Sequence, residues 1–145
     1  PPRGAVLLGG EGGEQVKRAL PQLPAMRCDE GCGECCTIAP CSRDELDAIR
    51  NVIKAQGIKP LRQGLRCPLY IDGKCSVYYA RPLVCRLYGH APGLDCLRGY
   101  SVLADDNALD AWNAEMRKIG CRVMYTHELV YDIGEMIEIL SESSK

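Results

Sequence analysis

The sequence predicts a mainly α fold with a small β-hairpin, in which an irregular cysteine-rich region packs on three to four helices. Three observations predict it. Ten cysteines fall mostly between residues 28 and 96. Apolar residues recur at helical spacing on the C-terminal side of the first cysteine run and again near the end of the chain. An Asp-Gly pair separates two short strand-like runs. The length of 145 residues suits one domain, and a chain of this size can bury a core without staples. We read residues 1–25 as an N-terminal extension and 26–145 as a single cysteine-cluster domain, with a motif region over 26–98 and C-terminal helices over 105–140.

The elements follow in chain order. Leu7 to Gly13 is glycine-rich but lacks the Gly-Lys-Ser/Thr of a phosphate loop, so it reads as a turn before a short helix. That helix spans Glu14 to Leu20 and is ended by Pro21 and Pro24. Residues 28–41 form a cysteine-rich loop, where Gly31 and Gly33 let the backbone wrap closely. Ser42 and Glu45 have the spacing of a capping box. Leu46, Ile49 and Ile53 then recur at helical spacing, which predicts a helix from 43 to about 55, stopped near Gly57. Residues 67–79 read as a hairpin turning at Asp72-Gly73, with Cys67 and Cys75 on neighbouring strands. Arg81 to Arg98 is irregular or briefly helical. A helix follows from about Asp106 to Ile119, with Leu109, Trp112, Met116 and Ile119 on one face and Gly120 as its stop. Thr126 is placed to cap a last helix whose apolar stripe is Leu129, Val130, Ile133, Met136, Ile137 and Leu140. Both stripes are expected to pack into the core, and the tail from Ser141 to Lys145 to fray.

Composition narrows the function. Apolar residues make up 46% and charged residues 26%, ordinary globular usage. The apolar runs are too short to cross a bilayer, so no membrane role is expected. A net charge of -1 argues against nucleic acid, although Lys59, Arg62 and Arg66 form a local basic group. The chain starts Pro1-Pro2-Arg3 and shows no export signal, so a cytoplasmic location is expected. In that compartment clustered cysteines read as metal ligands rather than disulfides.

Thiolates are soft ligands that favour zinc, copper(I) and iron–sulfur clusters. The candidate ligands are Cys28, Cys32, Cys35, Cys36, Cys67, Cys75, Cys85 and Cys96. Short spacings such as Cys28-x3-Cys32-x2-Cys35-Cys36 let one loop donate several thiolates. Eight thiolates exceed one zinc ion; they suit two zinc ions, or an iron–sulfur cluster, a [4Fe-4S] centre included, with thiolates to spare. Adjacent Cys35 and Cys36 are expected to point apart, and a disulfide between them would be strained. The first three cysteines also match a radical SAM signature, but 145 residues do not supply the barrel that chemistry needs. His90 and His127 are weaker nitrogen candidates, more often ordinary polar residues than ligands. Cys41 and Cys121 are read as small buried hydrophobes. Arg81, Arg86 or Arg98 could offset the negative charge of a thiolate centre and donate hydrogen bonds to sulfur, unless they are solvated surface residues.

These residues carry a family resemblance. Cys28-x3-Cys32-Gly33-x-Cys35-Cys36, Cys67-Pro68-x-Tyr70, Gly73-x-Cys75-x-Val77-Tyr78 and Arg81-Pro82-x-x-Cys85-Arg86, with Cys96 as the final cysteine, resemble the YkgJ-like CxxCxxCC family over residues 26–98. The first spacing is one residue longer than the name-giving pattern. The resemblance implies a zinc- or iron-chelating domain of a mainly bacterial family, and a similar arrangement in flagellin lysine methylase proteins implies an iron–sulfur cluster. A metal-binding module with a redox or structural accessory role is therefore the leading expectation, with a metal ion or cluster as its partner and a protein partner left open. The alternatives are an enzyme that uses the centre, protein-modifying or oxidoreductase, and a zinc-stabilised domain that binds protein or nucleic acid.

Overall fold

The computed structural model describes residues 20–25, 31–119 and 123–143. Cys28, Cys121, Gly120 and, except for Leu20, the expected helix at Glu14–Leu20 lie outside them. Among the described residues the fold is mainly α, with helices α1 (Arg43–Gln56), α2 (Leu83–Leu87), α3 (Asp106–Arg117) and α4 (Ile133–Ser143). Two short antiparallel ladders accompany them: β2 (Tyr70–Ile71) pairs with β3 (Lys74–Cys75), and β1 (Pro40–Cys41) pairs with β4 (Met124–Tyr125). One-turn 3₁₀ segments follow β3 at Tyr78–Ala80 and β4 at Thr126–Leu129.

Helix α1 starts and stops where local chemistry requires. The Ser42 hydroxyl accepts from the Glu45 amide at 3.0 Å, and a Glu45 carboxylate oxygen accepts from the Ser42 amide at 3.0 Å. These bonds satisfy two donors that a helix start otherwise leaves open. Gly57 ends the helix in the left-handed region at φ 65°, where a glycine carries no Cβ penalty. The other Glu45 oxygen accepts from the Leu83 amide at 2.7 Å, at the first turn of α2. One buried carboxylate thus ties the starts of two helices together, with its charge where both helix dipoles favour it.

The core has two parts. Leu83, Leu87, Ala91, Ala104, Ala108 and Trp112 join α2 to α3, with Leu109 and Met116 packed against them. Leu23 belongs to the same cluster, and the Trp112 indole donates to the Pro21 carbonyl at 2.8 Å. Residues 20–25, read from the sequence as the end of an N-terminal extension, therefore contribute to the core. The second part gathers Ile49, Leu69, Val77 and Ala80 between α1 and the hairpin, with Cys67 and Cys75 packed against it. Side chains as fully buried as Ile49 and Leu69 each stabilise the fold by about 1.5–3 kcal/mol.

Two expectations for the C-terminal region are corrected. Thr126 does not cap α4: it opens a 3₁₀ turn, and Asp132 does the capping. The Asp132 carboxylate accepts from the Glu135 amide at 2.8 Å, and Glu135 accepts from the Asp132 amide at 3.1 Å. The apolar stripe of α4 is also mostly outside the core. Met136 is buried, but Ile133 is 73% and Ile137 60% exposed. The two core clusters are completed by α1 to α3, the hairpin and residues 20–23, so only one residue of α4 finds a seat. Among the described residues no helix is long and apolar enough to cross a membrane.

Candidate metal centre

Three segments build the site: the loop 31–36, the hairpin, and the stretch from Arg81 through α2 to the loop at Cys96. Backbone bonds lock the first loop on the hairpin. The Cys36 amide donates to the Gly33 carbonyl at 3.0 Å, and the Cys67 amide donates to the Cys36 carbonyl at 2.9 Å. The Tyr70 hydroxyl donates to the Gly31 carbonyl at 2.6 Å. Gly33 is buried under the Tyr70 ring; a Cβ there would stand 2.6 Å from Tyr70 Cζ, a distance that real side chains do not tolerate. The glycine at this position is thus a steric requirement. The hairpin turns through Asp72 at φ 53° and Gly73 at φ 78°, the two positive φ values of a type I′ turn. Its register sets Tyr70 opposite Cys75.

The cysteines converge. Cys32, Cys35, Cys36, Cys67, Cys75, Cys85 and Cys96 all line one cavity of about 230 Å³, together with Lys74, Tyr78, Arg81, Arg98 and Thr126. Cys35 is exposed and the other six are half-buried. The described cysteines form no disulfide among themselves. Among the described residues no group of three His, Cys, Asp or Glu side chains is already drawn into ligand geometry. Cys41, His90 and His127 do not line the cavity. Cys41 is fully buried, as expected of a small hydrophobe. His90 Nδ1 bonds the Val102 carbonyl at 2.8 Å and His127 Nε2 the Gly64 carbonyl at 2.8 Å, so both rings serve backbone groups.

Four of the cavity thiols, Cys36, Cys67, Cys75 and Cys85, are held toward their neutral form. A hydrogen bond with Cys35 pushes the Cys36 thiol strongly up, with burial and the charges of Cys35, Cys75 and Cys67 adding to it. The two adjacent side chains therefore meet, against the expectation that they point apart. Burial raises Cys67, Cys75 and Cys85 as well. Arg81 opposes the rise at Cys75 and Cys85 by favouring the thiolate. The Cys67 thiol also donates to Thr126 Oγ1 at 3.8 Å, a contact across 59 residues that no local pattern in the sequence announces.

The three arginines take different places. Arg86 is 1% exposed and spends its guanidinium on the backbone, donating to the Arg81 and Tyr79 carbonyls at 2.9 Å each. Burial lowers it to about 10, with the neighbouring Arg81 charge adding to the shift. It does not line the cavity. Arg98 lies on the rim, where it pairs with Glu34 at 3.6 Å and links the first loop to the Cys96 loop. Arg81 is buried against the cavity.

A cavity walled by soft donors and flanked by buried cationic charge is chemistry for a thiophilic metal. The family comparison agrees. The model of the CxxCxxCC family, described as "Putative zinc- or iron-chelating domain", matches residues 27–121, and the chain belongs to this family. The match runs through α3, beyond the motif region at 26–98, and leaves α4 outside it. No curated protein and no solved structure matches the chain. A zinc- or iron-chelating domain fits zinc or an iron–sulfur cluster as the bound group.

Proposed function

We propose that the protein is a metal-binding module whose cavity holds an iron–sulfur cluster, or zinc, for a redox or structural accessory role. The observation that carries this is the convergence of seven thiols from three separate segments on one cavity. Cys36, Cys67, Cys75 and Cys85 are the ligands we place first, because they line the cavity and lie close enough for their charges to act on one another. Cys32, Cys35 and Cys96 complete the cavity, and the sequence adds Cys28 to the set. The count exceeds the four donors of a closed zinc site and the four of one cluster, which leaves thiols for a second centre or free beside the first. Electron transfer or redox sensing is the chemistry a cluster supplies when bound.

The chain's own residues would tie binding to folding. The neutral thiols must lose their protons to become ligands, so metal uptake releases protons and weakens as pH falls. The Cys67–Cys36 backbone bond and the Tyr70–Gly31 bond seat the loop 31–36 on the hairpin, and a metal shared with Cys85 would pin α2 to both.

The test is elemental analysis and an absorption spectrum of protein purified without oxygen, with Cys75→Ser and Cys85→Ser beside it. Iron with inorganic sulfide and a broad brown absorbance is expected. Both variants should lose metal and stability together. Colourless protein with zinc at one or two per chain would make the role structural. An unchanged metal-to-protein ratio in either variant would remove that cysteine from the ligand set.

A further inference from the structure

We infer that Arg81 is the positioning residue of the thiolate centre: its Nη2 supplies the hydrogen bond, and its guanidinium the positive charge, that hold a sulfur-ligated metal in the cavity. The inference rests on the metal-binding function proposed above and assigns a residue outside the ligand set.

The argument begins with an accounting of donors. Arg81 is 8% exposed and lines the thiol cavity. Its Nε donates to the Tyr78 carbonyl at 2.9 Å and its Nη1 to the Cys85 carbonyl at 3.2 Å. The Tyr78 ring lies against the guanidinium, with Cζ 4.0 Å from the ring centroid. These three contacts fix the plane of the group. Among the described residues Nη2 is left buried with no hydrogen-bond partner. A buried polar group without a partner costs about 1–3 kcal/mol, and a charged one more. Thiolate sulfur is the acceptor chemistry of the cavity that this side chain lines, and a four-thiolate zinc site or a sulfur-ligated cluster carries the negative charge that a fixed cation offsets.

The neighbouring arginines are unsuited to the task. Both described guanidinium bonds of Arg86 go to backbone carbonyls and Arg86 does not line the cavity, while Arg98 is a half-exposed rim residue beside Glu34. The Nη1 bond to the Cys85 carbonyl also makes Arg81 part of the α2 turn that carries a ligand. Loss of the side chain would therefore loosen one thiolate and remove a donor to sulfur at the same time.

The test uses cobalt(II), a divalent probe for thiolate sites whose sulfur-to-metal charge-transfer band reports electron density on the sulfur. The full chain is reduced, stripped of its metal and titrated with cobalt(II) under argon against a competing chelator. The proteins are wild type, Arg81→Gln, Arg81→Lys and Arg50→Gln. Removing a partner of this kind from a metal site weakens affinity about 10–100-fold. That loss is expected for Arg81→Gln, together with a shift of the charge-transfer band to lower energy as the sulfurs lose their hydrogen bond. Arg81→Lys should recover part of the affinity through its charge. Arg50→Gln, an exposed position on α1 that does not line the cavity, should bind as wild type. A purely structural arginine would lower affinity without moving the band, and that result would overturn the inference, as would wild-type affinity in Arg81→Gln. If Arg81→Gln fails to fold by circular dichroism, Arg81→Lys decides: a wild-type band overturns the inference and a shifted band supports it. Wild-type protein that takes up no cobalt would instead overturn the metal-binding function itself, and the inference with it.

Discussion

Replacing Gly33 by alanine tests whether the first cysteine loop is seated by steric fit. The φ of Gly33 is not among the positive values, so an alanine meets no backbone barrier there. The obstacle is the Tyr70 ring, whose Cζ and Cε2 would lie 2.6 and 2.7 Å from the new methyl. The Arg66 side chain is closer still, but its flexible end can swing away. The ring has less freedom, because its hydroxyl is bonded to Gly31 and the Arg66 guanidinium stacks on it at 4.8 Å. Overpacking of this kind costs about 1–3 kcal/mol. Loss of the Tyr70–Gly31 bond adds about 1 kcal/mol. The reduced entropy of the unfolded chain returns about 0.4–1 kcal/mol. The net destabilisation is about 1–3 kcal/mol, a drop in Tm of about 3–10 °C. Trp112 is the single tryptophan and is 1% exposed, so its fluorescence follows unfolding directly. The decisive assay is a double-mutant cycle. In a Tyr70→Ala background the methyl has room, and Gly33→Ala should cost less than about 0.5 kcal/mol. Equal costs in the two backgrounds would refute the steric clamp.

Two further outcomes are expected. Glu45→Ala removes the acceptor for the Ser42 and Leu83 amides together, so it should cost about 2–4 kcal/mol in chemical denaturation, against about 1 kcal/mol for Ser42→Ala; similar costs would mean that the carboxylate does not bridge α1 and α2. Cys41 is pushed up to about 12, first by burial and then by the charges of Glu45 and Glu128. Its native pKa lies above its unfolded value, so its contribution is complete below about pH 9 and is lost as pH rises toward 12. Cys41→Ala should therefore flatten the alkaline fall in stability of the metal-free protein while leaving metal content unchanged, and metal loss in that variant would place Cys41 among the ligands.

Much of the scaffold was legible because its signals are local. Ser42, Glu45 and Gly57 mark both ends of α1 within a few residues of sequence, and the structure uses each of them as the chemistry requires. Asp72-Gly73 announces a type I′ turn in the same way. The ladder between β1 and β4 was not legible. It pairs two residues with two others more than 80 positions away, one of them a proline, and no periodicity can develop over so short a run. The exposure of α4 was hidden for a related reason. Its stripe has the spacing of a buried face, but whether a face is buried depends on what remains to cover it, and Leu23 and Trp112 belong to a core that α4 does not complete.

The candidate site divides along the same line. Spacing alone could nominate cysteines in two sets, the run from Cys28 to Cys36 and the scattered group from Cys67 to Cys96, and it left open whether these sets served one place or two. The structure brings the described members of both sets to one cavity, because the amide of Cys67 bonds the carbonyl of Cys36 and the hydroxyl of Tyr70 bonds that of Gly31. Neither bond has a signature in the chain. The same holds for the arginines. Arg81, Arg86 and Arg98 were equivalent as letters, and only the tally of donors separates one that supports backbone, one that pairs at the rim, and one that keeps a buried N–H without an acceptor. That leftover donor bears on function because protein interiors seldom leave a charged group unmatched. Its acceptor should be the sulfur of a centre that forms when the thiols around it give up their protons to a metal.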